Sequence, residues 1–263
     1  MSLLAHIALI SQTNVSFGDV SIVSAALQKQ VSRDLSQFWG INATVDAFQS
    51  LEVMPTGYWP ILIVDQVKDA AGLHLDNQGQ PYALVETGPT WSLTASHECL
   101  EMLVDPFGNR LVTGDSPMQG QGRVQFLVEV CDPSEDVHYA YSVNGVLVSD
   151  FYTPRYFDPM ATPGTRYSYT GNLQQPRQVL KNGYLSWFNP SDNHWYQETF
   201  FNDNPEFRDL GPRTNQNEAL RTFIDRATPE RSLSHFERPP VSLQSSKAKA
   251  KALTQEINIL LGL

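Results

Sequence analysis

The chain has 263 residues, of which 41% are hydrophobic and 17% are charged. These proportions indicate a globular protein with a sizeable core and exclude an intrinsically disordered chain. The formal net charge of -10 excludes a general nucleic-acid binder, because contacts to phosphates need clustered Lys and Arg.

Two cysteines, Cys99 and Cys131, are too few for a disulfide framework. One bridge between them is possible, but each lies inside a carboxylate-rich motif, which favours two free thiols. The apolar start at 3–10 lacks a basic leader and is much shorter than a membrane span, so it predicts a buried first strand. With no targeting signal or transmembrane segment recognised, we expect a cytoplasmic protein that does not bind membranes.

The first 105 residues predict strands and helices in alternation. A helix at 18–39 shows apolar residues at spacings of three and four, with Asp19 available to cap its start and Gly40 to end it. The segment 69–81 is polar and contains a turn signal at 76–79. The remaining predicted elements are strands at 41–45, 59–65 and 82–86 and a helix at 91–105. This order predicts a mixed α/β (α+β) fold with helices packed on a sheet.

Beyond residue 105 the pattern is less regular. Segment 124–130 is compatible with a strand or a short helix, and 143–152 predicts a hairpin that turns at Asn144-Gly145. We divide the chain into a metal-binding domain at 1–162 and an irregular region at 163–244, rich in aromatic residues, Pro and Asn, that packs on it. A helical tail at 245–263 follows and is a possible oligomer contact.

The helix at 91–105 carries the chemistry. At about 100° per residue, its polar side chains share one arc and apolar residues occupy the rest of the circumference. The members of the arc are Thr94, His97, Glu98, Glu101 and Asp105. Charged groups on a mostly buried helix are costly unless they are paired or bind a cation, so the stripe predicts a divalent metal site.

His97 and Glu101 are four residues apart and can therefore converge on one ion, while Glu98 lies near enough to reach a metal-bound water. The segment 94–106 resembles the active-site helix of the zincin metallopeptidases, whose motif is His-Glu-x-x-His. Here Glu101 takes the second ligand position, so the closest likeness is a gluzincin-like site with an HExxE motif. The SHExLEMLxDP pattern also resembles uncharacterised microbial and phage-associated proteins.

The resemblance implies a zinc ion and a third ligand from a downstream segment. Glu129, in an apolar neighbourhood, is the first candidate for that ligand, with Asp132 and Asp105 as alternatives. Asp105 precedes Pro106 and fits better at the helix end than on the ion. Because two carboxylates lower the effective charge of the ion, manganese and calcium are alternatives to zinc.

The function that the resemblance implies is metal-dependent hydrolysis, most plausibly of peptides. Glu98 would act as general base, and Tyr156, or alternatively His138 or His194, would hydrogen-bond the developing oxyanion. A peptide or protein substrate would pair with an edge strand at 82–86, from Tyr82 to Glu86. The alternative is a catalytically inactive zincin-like binding or assembly protein with a structural metal.

Overall fold

The structure is a computed structural model that describes residues 4–68, 70–215, 218–228 and 255. Within these ranges it contains two five-stranded sheets, a two-stranded hairpin and several helices. Most of the buried apolar side chains form one continuous core that both sheets share. The expected mixed α/β class is therefore confirmed.

The first sheet is mostly parallel. Its strands appear in space in the order β2-β1-β3-β5-β4, and β4 alone runs antiparallel to its neighbour. The elements of this half are β1 (Ala5–Ser11), α1 (Phe17–Lys29), α2 (Ser36–Trp39), β2 (Ala43–Phe48), β3 (Trp59–Val64), β4 (Gly72–Asn77), β5 (Gln80–Glu86) and α3 (Trp91–Val104). A π-helical stretch at Gln30–Leu35 joins α1 to α2.

The predicted helix at 18–39 is present, with one change at its start. The side chain of Ser16, not Asp19, is the cap, and its hydroxyl oxygen accepts the backbone N–H of Asp19 at 3.2 Å. Gly40 ends the helix with φ of 65°, a left-handed conformation that glycine adopts without steric cost.

The strand at 82–86 is not the edge of the sheet, contrary to expectation. It lies within β5, which pairs with β3 on one side and with β4 on the other. The edge strand is β4, formed by residues that the sequence pattern predicts as a polar turn region. The reason is that β4 buries a single side chain, His74, so it lacks the repeated apolar residues that mark a strand.

The second sheet is antiparallel throughout, in the order β12-β11-β10-β7-β6. The elements of this half are β6 (Leu111–Asp115), β7 (Arg123–Leu127), β8 (Tyr141–Val143), β9 (Val146–Val148), β10 (Tyr184–Asn189), β11 (His194–Thr199), β12 (Glu206–Gly211) and α4 (Leu220–Ala227). The segment at 124–130 thus begins as a strand. The expected hairpin turn has positive φ at both Asn144 and Gly145.

Residues 184–211 are more regular than expected, because they form three strands of this sheet. The sheet joins them to β6 and β7, so a domain boundary at residue 162 would divide one sheet. Buried polar side chains, among them Ser186, Asn189 and Gln197, conceal the strand pattern in the sequence. The helical tail expected at 245–263 lies outside the described residues, apart from Gln255.

Two smaller observations concern the cysteines and the helices. Cys99 and Cys131 are buried free thiols, as expected. Burial raises the pKa of Cys99 to about 12. In the part of the chain that the structure describes, every helix is too short or too polar to cross a lipid bilayer.

Candidate metal centre

Helix α3 buries nearly all of its side chains, including its ionisable ones. His97 is 9% exposed, Glu98 is 2% exposed and Glu101 is fully buried. The helix packs against β4 and β5 of the first sheet and against β9. The predicted arc of titratable groups therefore faces the protein interior, where an uncompensated charge is costly.

Two carboxylates converge on the ring of His97. Its Nε2 atom lies 3.2 Å from Glu101 Oε2 and 3.3 Å from Asp132 Oδ1. The other oxygen of Glu101 accepts the backbone N–H of Cys131 at 3.1 Å, which fixes the carboxylate. Tetrahedral zinc with ligands at about 2.0–2.1 Å separates them by about 3.3 Å, so these spacings fit a ligand set.

Asp132, not Glu129, faces His97. Asp132 begins a short 3-10 turn (Asp132–Ser134), and the backbone of Gly183 packs against that turn. A Cβ atom at Gly183 would lie 2.7 Å from the carbonyl oxygen of Asp132, so only glycine permits this approach. Asp132, an alternative candidate for the third ligand, is therefore better placed at His97 than Glu129.

Glu129, the first candidate for the third ligand, lies at the back of the same cluster. Both of its carboxylate oxygens are buried and lack a hydrogen bond among the described residues. Its Oε2 atom is 3.0 Å from Arg221 and 4.0 Å from His74. Asp105, the other alternative, accepts the backbone N–H groups of Asn109 and Arg110 at 3.1 and 2.7 Å, as its predicted helix-end role requires.

His74, on the edge strand β4, is a member of the cluster that the sequence pattern does not indicate. Its side chain is 1% exposed. Its Nδ1 atom lies 3.5 Å from Glu98 Oε2 and 3.9 Å from Glu101 Oε2. A single histidine in a polar segment carries no spacing signal, and only its burial distinguishes it.

Arg221, near the start of α4, is the second unpredicted member. Its Nη1 atom lies 2.9 Å from Asp132, 3.0 Å from Glu129 and 3.3 Å from Glu101. Its Nε atom lies 2.9 Å from Asp225 one turn further along the helix. No motif surrounds Arg221 in the sequence, so only the docking of α4 reveals its role.

The pKa values of the cluster reflect burial and mutual charge. Burial raises the pKa of Glu129 well above its usual value, against the lowering effect of Arg221. Burial also opposes ionisation of Glu101, but the charges of His97 and Arg221 hold its pKa well below the usual range. Burial lowers the pKa of His97, and the contacts with Glu101 and Asp132 outweigh that effect and raise it. The cluster as a whole attracts cations.

Tyr156 does not have the position expected of an oxyanion donor. Its hydroxyl donates to the carbonyl of Gln178 at 2.8 Å, and its ring stacks on Tyr152 at 4.3 Å. Tyr152 is the better candidate, because its buried hydroxyl lacks a hydrogen bond in the described part of the chain. Burial, the neighbouring Tyr156 and then the charge of Glu129 raise the pKa of Tyr152.

The two alternative oxyanion donors pair with acids at other places in the fold. His138 Nδ1 contacts Asp136, and the imidazole is 83% exposed. His194 Nδ1 lies 2.9 Å from Asp209 at the surface of the second sheet. Each histidine thus has a local structural partner.

Seven charged or ionisable groups thus meet in one buried cluster, the acidic cluster. Its members are His74, His97, Glu98, Glu101, Glu129, Asp132 and Arg221. Two triads of these residues place their ligand atoms within 4.8 Å of one another, a spacing suited to a metal ion: His74, Glu98 and Glu101, and Glu101, Glu129 and Asp132. No protein-family model matches the chain, and no curated protein or solved structure matches it either. What the chain does is therefore inferred from the chemistry of this cluster.

Proposed function

We propose that the protein is a metal-dependent hydrolase of the peptidase class, whose ion is held by His97, Glu101 and Asp132. One observation carries this proposal. Glu101 Oε2 and Asp132 Oδ1 are buried, lack a normal hydrogen bond among the described residues, and lie 3.2 and 3.3 Å from His97 Nε2. Zinc suits one imidazole and two carboxylates, and manganese or calcium are the alternatives.

A bound ion of this kind supplies Lewis acidity, which polarises a carbonyl group and makes a water molecule more acidic. The protein's own contribution is proton transfer and orientation. Glu98 follows His97 directly on α3, is buried, and would accept the proton of the attacking water and pass it to the leaving amine. The backbone N–H of Cys131 fixes the carboxylate of Glu101 and so orients its other oxygen toward His97.

A peptide is the substrate class that the neighbouring strand favours. β4 is the last strand of its sheet, so an extended peptide can pair with its outer edge. The strand also lies directly against α3, because a Cβ atom at Gly72 would be 2.5 Å from Thr94 Cγ2 and 2.7 Å from Glu98 Oε1. A chain bound along β4 would therefore run beside the proposed base.

The first experiment is elemental mass spectrometry on protein purified without chelator or affinity-tag metal. Bound zinc is expected in the wild type, and His97→Ala should lose the ion that this histidine holds. His194→Ala, which removes an imidazole paired with Asp209 at the surface, is the matched control and should keep it. Absence of metal from the wild type, with no uptake of added zinc, manganese or calcium, would exclude the proposal.

The second experiment separates catalysis from binding. Glu98→Gln preserves the size of the side chain but removes the proton acceptor, so the ion at His97 should remain while hydrolysis of fluorogenic peptides is lost. Peptide hydrolysis at the wild-type rate by the Gln variant would contradict the assigned role of Glu98.

A second candidate function is a catalytically inactive binding or assembly protein with a structural metal. The closed geometry favours it, since Arg221 Nη1 contacts three carboxylates and the cavity beside Glu129 and Asp132 is only about 10 Å³, roughly the size of one water. This alternative predicts bound metal that raises the melting temperature, without hydrolysis of any peptide tested.

A further inference from the structure

His74 is a buried side chain of the acidic cluster that lacks hydrogen-bond partners. The residue is 1% exposed, and neither ring nitrogen forms a hydrogen bond within the described part of the chain. Burial without a partner is costly for an imidazole, which has one donor and one acceptor when neutral. Carboxylates face both nitrogens, Glu98 and Glu101 at Nδ1 and Glu129 at Nε2.

The fold holds this ring against α3 by a close approach of the β4 backbone to side chains of the helix. Gly72, two residues before His74 on β4, leaves no room for a Cβ atom against Thr94 and Glu98. Residues two apart on a strand point to the same face, so His74 is directed toward the same helix as Gly72. Its position opposite Glu98 and Glu101 follows from the strand, not from a flexible loop.

Glu101 Oε2, which lacks a hydrogen bond among the described residues, lies between the two histidines of the cluster. Glu101 Oε2 lies 3.2 Å from His97 Nε2 and 3.9 Å from His74 Nδ1. Glu98 Oε2, which also lacks a hydrogen bond among the described residues, lies 3.5 Å from the same His74 nitrogen. These three groups place one ligand atom each within 4.8 Å of one another.

We propose that His74, Glu98 and Glu101 form a second divalent-cation position, so that the centre is dinuclear with Glu101 as the shared ligand. One imidazole and two carboxylates suit zinc and manganese, which accept nitrogen and oxygen donors together. Sites with two ions about 3.5–4 Å apart commonly share a carboxylate in this way.

The charge of the surroundings favours a second cation. The acidic cluster contains four carboxylates, and Arg221 contacts three of them, those of Glu101, Glu129 and Asp132. Carboxylates thus outnumber the guanidinium in this buried volume, and buried negative charge is costly unless it is paired or bound to a cation.

The inference rests on the proposed centre at His97 and refines the role of Glu98. Oε2 of Glu98 lies 3.5 Å from His74 Nδ1, and Oε1 occupies the space that a Cβ atom at Gly72 would approach. One oxygen can therefore bind the second ion while the other remains a proton acceptor. The two roles of Glu98 are compatible.

The test is the stoichiometry of Mn²⁺ binding to the full chain, measured by equilibrium dialysis with elemental analysis after removal of bound metal. The wild type should bind about two ions, as in other carboxylate-bridged pairs. His74→Ala and His97→Ala should each bind one, and Glu101→Ala should bind neither tightly. His138→Ala, which alters a surface imidazole, is the control and should match the wild type.

Electron paramagnetic resonance of the Mn²⁺-loaded wild type also tests for two neighbouring ions, and it needs no variant. Two Mn²⁺ ions that share a carboxylate oxygen are exchange-coupled, and the expected spectrum is that of a coupled pair. An isolated six-line spectrum at saturation would overturn the inference, even if His74→Ala failed to fold.

The outcomes separate this inference from the proposed function. One ion per chain that His97→Ala loses and His74→Ala keeps overturns the second position and leaves the proposed centre intact. Two ions in a protein without peptidase activity keep the second position and exclude the hydrolase.

Discussion

The two sheets contribute different side chains to the acidic cluster: the first contributes the imidazoles, and the second contributes the guanidinium. The first, largely parallel sheet and its helix α3 supply both imidazoles, from His74 and His97, together with Glu98 and Glu101. The second, antiparallel half supplies acids that follow β7 and the guanidinium of Arg221 on α4. One half thus resembles a metal site, and the other resembles a buried ion-pair network.

The two halves therefore differ in how their buried charges are stabilised. The acids of the second half already have a permanent cation in Arg221, because its guanidinium cannot lose its proton inside a protein. In the first half, Arg221 contacts Glu101 at 3.3 Å, and several donor atoms lack hydrogen bonds among the described residues. We expect added metal to act mainly on the donors of the first half, with Asp132 as the ligand from the second half, and Arg221 to act mainly on the acids of the second half.

Replacement of the Arg221 guanidinium should change the free energy of unfolding more than the other substitutions considered below. Arg221→Met leaves Asp132 and Glu129 buried without their cation, so the free energy of unfolding without metal should fall by about 3–5 kcal/mol. Urea unfolding measures this change. Saturating Mn²⁺ should recover part of the loss, because a divalent ion also neutralises these carboxylates.

The matched control for this change is Arg226→Met on the same helix. Arg226 is 63% exposed and pairs with Glu218, so its loss should cost at most about 1 kcal/mol. Equal losses for the two variants would show that Arg221 does not hold the acids of the second half.

A methyl group at Gly183 should disturb the ligand that the second half contributes. Its Cβ atom would lie 2.6 Å from the carbonyl oxygen of Pro133 and 2.7 Å from that of Asp132, and backbone cannot rotate away. Gly183→Ala should therefore lower stability by about 1–3 kcal/mol and metal affinity by about tenfold. Titration calorimetry with Mn²⁺ checks the affinity.

Gly88→Ala is the control for Gly183→Ala, because a Cβ atom at Gly88 meets nothing within 4 Å. Its stability should stay within about 0.5 kcal/mol of the wild type. A Gly183 variant with normal metal affinity would show that the position of Asp132 is unimportant for the centre.

A substitution at Ser96 tests a part of the first half whose stability should not depend on the ion. Its hydroxyl donates to Gln30 at 2.8 Å and accepts the backbone N–H of Ser149 at 2.9 Å, all in the interior. Ser96→Ala leaves both partners unsatisfied and should cost about 2 kcal/mol, with or without Mn²⁺. A loss that metal reverses would contradict this separation of roles. Ser21→Ala, at an exposed hydroxyl, is the control.

A substitution at Glu198, on β11, should have the smallest effect on stability, and that effect should depend on pH. Burial raises its pKa from 4.5 to about 7. The folded state therefore favours the protonated acid, and its stability falls as the pH rises from about 4.5 through about 7. Because the carboxyl is partly exposed, Glu198→Gln should stabilise the protein by about 1–2 kcal/mol above pH 8 and have no effect below pH 4.

Thermal unfolding across this pH range measures the effect of Glu198→Gln. Glu206→Gln, which removes an exposed carboxylate from the adjacent strand β12, controls for the change in net charge. A constant difference between Glu198→Gln and the wild type at every pH would contradict the raised pKa.

The sequence predicts the part of the site that a single helix positions. His97, Glu98 and Glu101 belong to one regular element, and helical geometry alone sets their angles, so the spacing in the sequence is sufficient to group them. The same holds for the mixed α/β class and for the helix that Gly40 ends, because periodicity and glycine conformation are local properties.

The groups that join that helix are set by tertiary packing. His74 arrives through the antiparallel pairing of β4 with β5, Asp132 through the packing of its turn against Gly183, and Arg221 through the docking of α4. The edge of the first sheet and the regular strands at 184–211 were concealed for the same reason. Contacts between residues distant in the chain depend on pairing and burial, which leave no periodic trace in the sequence when the strands are polar or short.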